Sequence, residues 1–172
     1  DAMWQLWVPR SAQGKPELPS LMKPEGPGYM PLSCAALWIA TDGGTVDFDP
    51  NTAHESILTS QGDTDIFVLS LDTDGGFRWV SQAGGASAEF FEGIDVDAAG
   101  DAYIAGYIWS DIADFGLLQV DNPFNMTGYI AKLDPNGDFV WANGIGDVPP
   151  DSPFDDGWAT AYGVAVAPSG AE

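Results

Sequence analysis

Residues 65–85, DIFVLSLDTDGGFRWVSQAGG, decide how this chain is read. An apolar run with alternating character leads into the acidic, glycine-rich turn Asp72-Thr73-Asp74-Gly75-Gly76, and a second run follows that carries Trp79. Asp in a tight turn supplies side-chain acceptors for the backbone, and Gly accepts φ > 0, so the stretch reads as strand, turn, strand. The phrase returns as residues 129–146, YIAKLDPNGDFVWANGIG, at an offset of 62. Asp72 falls on Asp134, Gly75 on Gly137, Phe77 on Phe139, Trp79 on Trp141 and Gly84 on Gly146. A spacing of this size signals stacked supersecondary units.

Working outward, GIDV (93–96), the turn Asp97-Ala98-Ala99-Gly100 and AYIAGY (102–107) read as a further hairpin. One unit of about four antiparallel strands then spans about 45–108, with 46–64 as a connecting segment. A second spans about 109–172, where Gly163 matches Gly93 at an offset of 70 because the loop 147–160 is eight residues longer. AALWIA (35–40) reads as an orphan closing strand, with Trp38 placed on Tyr103 because Phe48 and Phe115 follow at similar distances. The second unit stops where its own closing strand should begin. Leu37, Trp38 and Ile39 are therefore expected to pair with a strand of the kind that holds Val164 and Val166, by closure or by addition between molecules. Residues 1–35 are a Pro/Gly-rich, irregular arm or linker with no net charge, and residues 36–172 form the repeat domain.

The 172 residues carry 26 acids against 5 bases, a net charge of −21, and residues 41–172 hold all of that excess. Such a chain lacks the Lys and Arg that neutralise phosphate, so nucleic acid and anionic membrane are poor partners. No apolar run reaches the roughly 18 residues of a membrane helix. One cysteine, Cys34, allows no internal disulfide, and one histidine, His54, leaves His-based metal sites and Ser-His-Asp triads without material.

The combination of Leu71-Asp72, Gly75, Trp79, Gly84-Gly85, Gly93-Ile94, Val96-Asp97, Gly100, Tyr103 and Gly106 resembles the bacterial β-propeller repeat called the SBBP repeat. Leu133-Asp134, Gly137, Trp141, Gly146, Gly163-Val164, Val166 and Gly170 carry the resemblance in the second unit. It covers roughly residues 36–172 and departs at Ala167, where Asp97 has no counterpart. The resemblance implies an all-β fold of propeller-type blades in a secreted or cell-surface bacterial protein, without enzymatic activity. Physics points the same way, since a blade cannot bury both faces alone and a Trp in each unit would fill the space between sheets.

Three chemistries compete with a structural role. Asp72, Asp74, Asp134 and Asp138 place carboxylates in two turns, the oxygen-rich setting that Ca²⁺ prefers; the same residues also suit backbone capping, with no cofactor. Trp109, Phe154 and Trp158 lie in or near loops, where aromatic faces stack on sugar rings, which makes a carbohydrate-binding module the alternative function. Glu89 and Glu92 raise a glycoside hydrolase, but no spacing sets two carboxylates across a sugar. The reading that results is a non-catalytic surface protein, partnered by its own copies, by other surface proteins or by glycan.

Overall fold

The computed structural model describes residues 44–49, 54–72, 76–123, 125–146 and 158–167, together with the backbone of 33–40. Among these residues there are eleven strands and no helix. They are β1 (Ser33–Ala40), β2 (Thr45–Asp47), β3 (Ile57–Thr59), β4 (Thr64–Leu71), β5 (Phe77–Gly85), β6 (Glu89–Val96), β7 (Ala102–Ile108), β8 (Ile112–Phe115), β9 (Leu118–Asp121), β10 (Thr127–Leu133) and β11 (Phe139–Ile145). Every strand-to-strand pairing is antiparallel.

The all-β expectation holds, but the partition into sheets differs from the units read in the sequence. A five-stranded sheet runs β1-β4-β5-β8-β9, a four-stranded sheet runs β11-β10-β7-β6, and β2 and β3 form a separate ribbon. The hairpins 64–85 and 89–108, placed together in the unit 45–108, thus lie in different sheets. The cause is at the β5–β6 junction. Ala83, Gly84 and Gly85 pair with Phe115, Asp114 and Ala113 of β8, so the far edge of β5 is taken and β6 must leave for another sheet. Arm residues 1–32 lie outside the described residues.

The two larger sheets pack face to face. Ile66, Val68 and Ala83 of the first meet Ala102, Ile104, Ile108, Tyr129, Ala131 and Leu133 of the second, with Ala113, Phe115 and Val120 of the β8–β9 ribbon sealing the layer. Period-2 alternation explains this set: Ala102 and Ile104 of β7, and Tyr129, Ala131 and Leu133 of β10, share one face of their sheet. β4, buried along nearly its whole length, has neighbours on both edges and both faces, as its continuous apolar run requires. Phe115 is fully buried against Tyr129 (5.1 Å) and Phe139 (5.4 Å, edge-on). Its replacement by Ala would cost about 3–5 kcal/mol.

Individual contacts recur along the chain. The ladder slips between Ser70 and Leu71 and again, 62 residues on, between Lys132 and Leu133. Phe48 packs on Phe67 at 5.0 Å as Phe115 packs on Tyr129 at 5.1 Å. Ser60 N donates to Gly44 O at 3.0 Å, and Asn122 N to Asp111 O at 2.8 Å. Parallel bridges join Thr64 to Ala88 and Met126 to Trp158. Ile66 faces Trp38 across β4–β1, and Gly128 faces Tyr107 across β10–β7. Trp38 therefore corresponds to Tyr107, four residues along from the Tyr103 expected, and β1 occupies the place of β7.

Candidate functional site

Three acidic turns share one wiring. At each, an Asp N–H donates to the carbonyl four residues on, and that residue's N–H returns to the Asp carboxylate. The distances are 2.8 and 2.7 Å for Asp72 with Gly76, 3.0 and 3.0 Å for Asp97 with Asp101, and 2.9 and 3.0 Å for Asp134 with Asp138. Asp134 also accepts from the Asn136 backbone (2.8 Å) and side chain (3.3 Å), so both of its oxygens are engaged. These donors, led by the Asp138 N–H, hold the Asp134 carboxyl below the usual carboxylate range. Asp97 is held low as well, where the Asp101 and Ala99 N–H groups outweigh desolvation.

Of the candidate calcium ligands, Asp72 and Asp134 thus serve as turn caps in two different sheets, and Asp138 contributes a backbone donor to the second turn. Asp74 lies outside the described residues. No group of three His, Cys, Asp or Glu gathers into a metal-sized cluster among the described residues.

The Trp after each turn fills the space beside a sheet. Trp79 Nε1 donates to Pro135 O at 3.0 Å, and Ser81 Oγ to Gly137 O at 2.6 Å, so β5 of one sheet is tied to the β10–β11 turn of the other. Trp141, its counterpart, lies on the outer face of the four-stranded sheet. There it meets Tyr103 edge-on at 6.2 Å, beside Lys132, which pairs with Asp101 at 2.7 Å.

Trp109 is half-exposed and stands with Phe90 (5.4 Å) and Tyr107 (6.4 Å), which stack on each other at 4.9 Å. It lines an open groove of about 390 Å³ with Ala86, Ser87, Ser110, Asp111 and Ile112. Behind the groove, the fully buried Glu89 accepts from Gly85 N (2.8 Å) and Ser110 N (3.4 Å), clamping the end of β5 to the β7–β8 link. Desolvation pushes the Glu89 carboxyl up despite those donors. Read in sequence, Glu89 is only half of a candidate sugar-cleaving pair; the signal for its buried role is its position between Ala88 and Phe90. Trp158 is largely exposed beside Met126 and is not one of the groove-lining residues, and Phe154 lies outside the described residues.

The residues expected at an assembly edge fall on two open elements. Leu37, Trp38 and Ile39 pair through β1 with Phe67, Ile66 and Asp65 of β4, which leaves the far edge of β1 without a sheet neighbour among the described residues. Val164 and Val166 lie in the segment 158–167, which is no strand of any sheet. It runs along β6, β7 and β10: Ala161 N donates to Gly106 O (3.3 Å), Val166 N to Asp95 Oδ2 (2.7 Å), and Gly163 abuts Gly93. The two sets do not pair with each other within the chain. Among the described residues β11 has one neighbour, and the β2–β3 ribbon has no third strand.

A scan against protein-family models finds no match to this sequence, and a search of curated proteins finds none. No helix among the described residues is long and apolar enough to cross a membrane.

Proposed function

We propose that this chain is a non-catalytic structural or interaction protein of β-propeller-type blades, acting outside the cell or at a bacterial cell surface, and that it works by strand complementation. The observation that carries this reading is the set of edges with no strand neighbour among the described residues: the outer edges of β1 and β11, the two-stranded β2–β3 ribbon, and the extended segment 158–167. Edges of this kind are templates for a further strand, since each presents backbone donors and acceptors at strand spacing. The recurrence of contacts at spacings of 62 and 67 supports the blade reading. The resemblance to SBBP repeats supports the extracytoplasmic setting. The engagement of Asp72, Asp97 and Asp134 in backbone capping supports a structural use of the acids.

The test is hydrogen–deuterium exchange with and without a synthetic peptide of residues 33–49, which spans a β1 strand and a β2 strand. Slowed exchange at 158–167 and 139–145 on peptide addition is expected. Unchanged exchange at both places, with no binding by calorimetry, overturns strand complementation.

A second reading is favoured by the groove beside Trp109. An aromatic face next to Ser87, Ser110 and Asp111 has the composition that holds a sugar ring. A glycan panel read by tryptophan fluorescence, with Trp109→Ala as control, tests it; no glycan-dependent change removes the reading.

A further inference from the structure

We propose that the partner strand comes from a second copy of this chain, and that copies stack head to tail in a register dictated by the contacts between their own sheets. This rests on the strand-complementation reading and names its partner.

β1 pairs with β4 as β7 pairs with β10, which sets β1 on β7 at an offset of 69. The bridges Thr64–Ala88 and Met126–Trp158 set residues 158–167 on 88–97 at an offset of 70. Within the molecule, β6 passes along β1 and β4 of the first sheet and pairs with β7 of the second. Residues 158–167 pass in the same way along β7 and β10, with Ala161 on Gly106 and beside Gly128, but meet no counterpart of β7 among the described residues. β1 is that counterpart, and its outer edge is the one on which a β6-like strand belongs.

Transferring the β6–β7 register gives the pairing between copies. Glu89 opposite Ile108 becomes Ala159 opposite Ile39, Ile94 opposite Ile104 becomes Val164 opposite Ala35, and Val96 opposite Ala102 becomes Val166 opposite Ser33. A second edge agrees independently. β5 pairs with β8 through Ala83–Phe115 and Gly84–Asp114, and these transfer to Ile145 of β11 opposite Phe48 and Gly146 opposite Asp47 at the end of β2. The ribbon without a third strand thus meets the edge without a neighbour. The partly exposed side chains of Ile145 and Trp141 would be covered, as Ala83 and Trp79 are inside the molecule. One packing rule serves both interfaces.

Such an interface is heterologous, so it propagates into rings or chains rather than stopping at a two-fold dimer. Each copy carries a charge of −21, so repulsion opposes association and salt must strengthen it.

The register is tested with the one native thiol. Asp95 opposite Tyr103 becomes Ala165 opposite Cys34, and directly opposed residues share a face of the sheet. Ala165 is exposed, so Ala165→Cys leaves the fold undisturbed. Under mild oxidation in high salt, Ala165→Cys is expected to give reducible species at multiples of the 18.2 kDa chain. Val164→Cys, on the opposite face, is expected to give none beyond the wild-type background. Sedimentation of the wild-type chain should show a mass that rises with concentration and with salt. A chain that stays monomeric at all salts, or that cross-links equally at 164 and 165, overturns the proposal. If that chain still takes up the 33–49 peptide, self-association alone fails; if it does not, strand complementation fails as well.

Discussion

Gly137→Ala probes the join between the two sheets. Gly137 has φ +92°, a conformation that costs a residue with a Cβ about 1–2 kcal/mol. The new Cβ would also sit 2.6 Å from Cδ2 and 2.7 Å from Cε3 of Trp79, and 2.9 Å from Ser81 Oγ. Ordinary contact begins near 3.4 Å, so the indole must retreat by about 0.8 Å. It cannot do so freely, because Nε1 is held by Pro135 O and the Ser81 hydroxyl is held by Gly137 O. Losing one such bond costs about 1 kcal/mol. The sum is about 2–4 kcal/mol, measured by urea unfolding followed by tryptophan fluorescence. A double-mutant cycle separates the parts: in a Trp79→Leu background the collision with the ring disappears, and the backbone part of about 1–2 kcal/mol should remain with the Ser81 contact. Equal costs in the two backgrounds, or a cost below about 0.5 kcal/mol, would refute the idea that the ring rests on this glycine.

Glu89→Gln should change the pH profile of stability. A carboxyl raised by burial favours the protonated fold, so the Glu89 contribution to stability is greatest at low pH and declines as pH rises from the normal carboxyl range through the raised value. Thermal melts from pH 4 to 8 should show that decline flattened in the Gln variant; parallel profiles would count against a buried, titrating Glu89. Asp134→Asn should act with the opposite sign. The lowered carboxyl stabilises above its unfolded value, and that contribution is lost as pH falls, so the variant should lose stability at neutral pH and match wild type in acid. Tyr129→Phe should raise stability by about 1 kcal/mol in a denaturant melt, because its buried hydroxyl has no hydrogen-bond partner among the described residues and the corresponding Phe67 fills the same place without one. Adding a chelator should leave the melting midpoint unmoved, since the oxygens of Asp134 already accept protein N–H groups; a drop would assign calcium to the turns.

How much of this was legible in the sequence depends on the range of the interactions. The acidic turns were readable because an Asp, the residue four places on and the intervening Gly complete their bonding locally. The long strands were readable from alternation. Ile57–Thr59 and Leu118–Asp121 were not, because three or four residues carry too little periodicity to separate a ribbon from a loop. The sheet boundary was not readable either. In sequence, Gly84-Gly85-Ala86-Ser87 looks like any turn that folds a strand back on its neighbour. In the structure Gly84 lies on the Asp65 carboxylate and Gly85 on Ser110, contacts with residues distant in the chain. Of the candidate sites, the turns were legible, and Asp72 and Asp134 cap backbone N–H groups there. Trp38 was misplaced by four residues because aromatic spacing was used where ladder register decides.

The β8–β9 ribbon has a consequence for how the chain is made. It lies in sequence between β7 and β10 but completes the sheet that begins with β1. As the polypeptide emerges from the ribosome or a translocation pore, the first sheet must wait for Asp121, by which point β6 and β7 are already out and unsupported by β10. Neither sheet can finish before the other has started, so the two are expected to fold and unfold as one, and a cut between them should release no stable half.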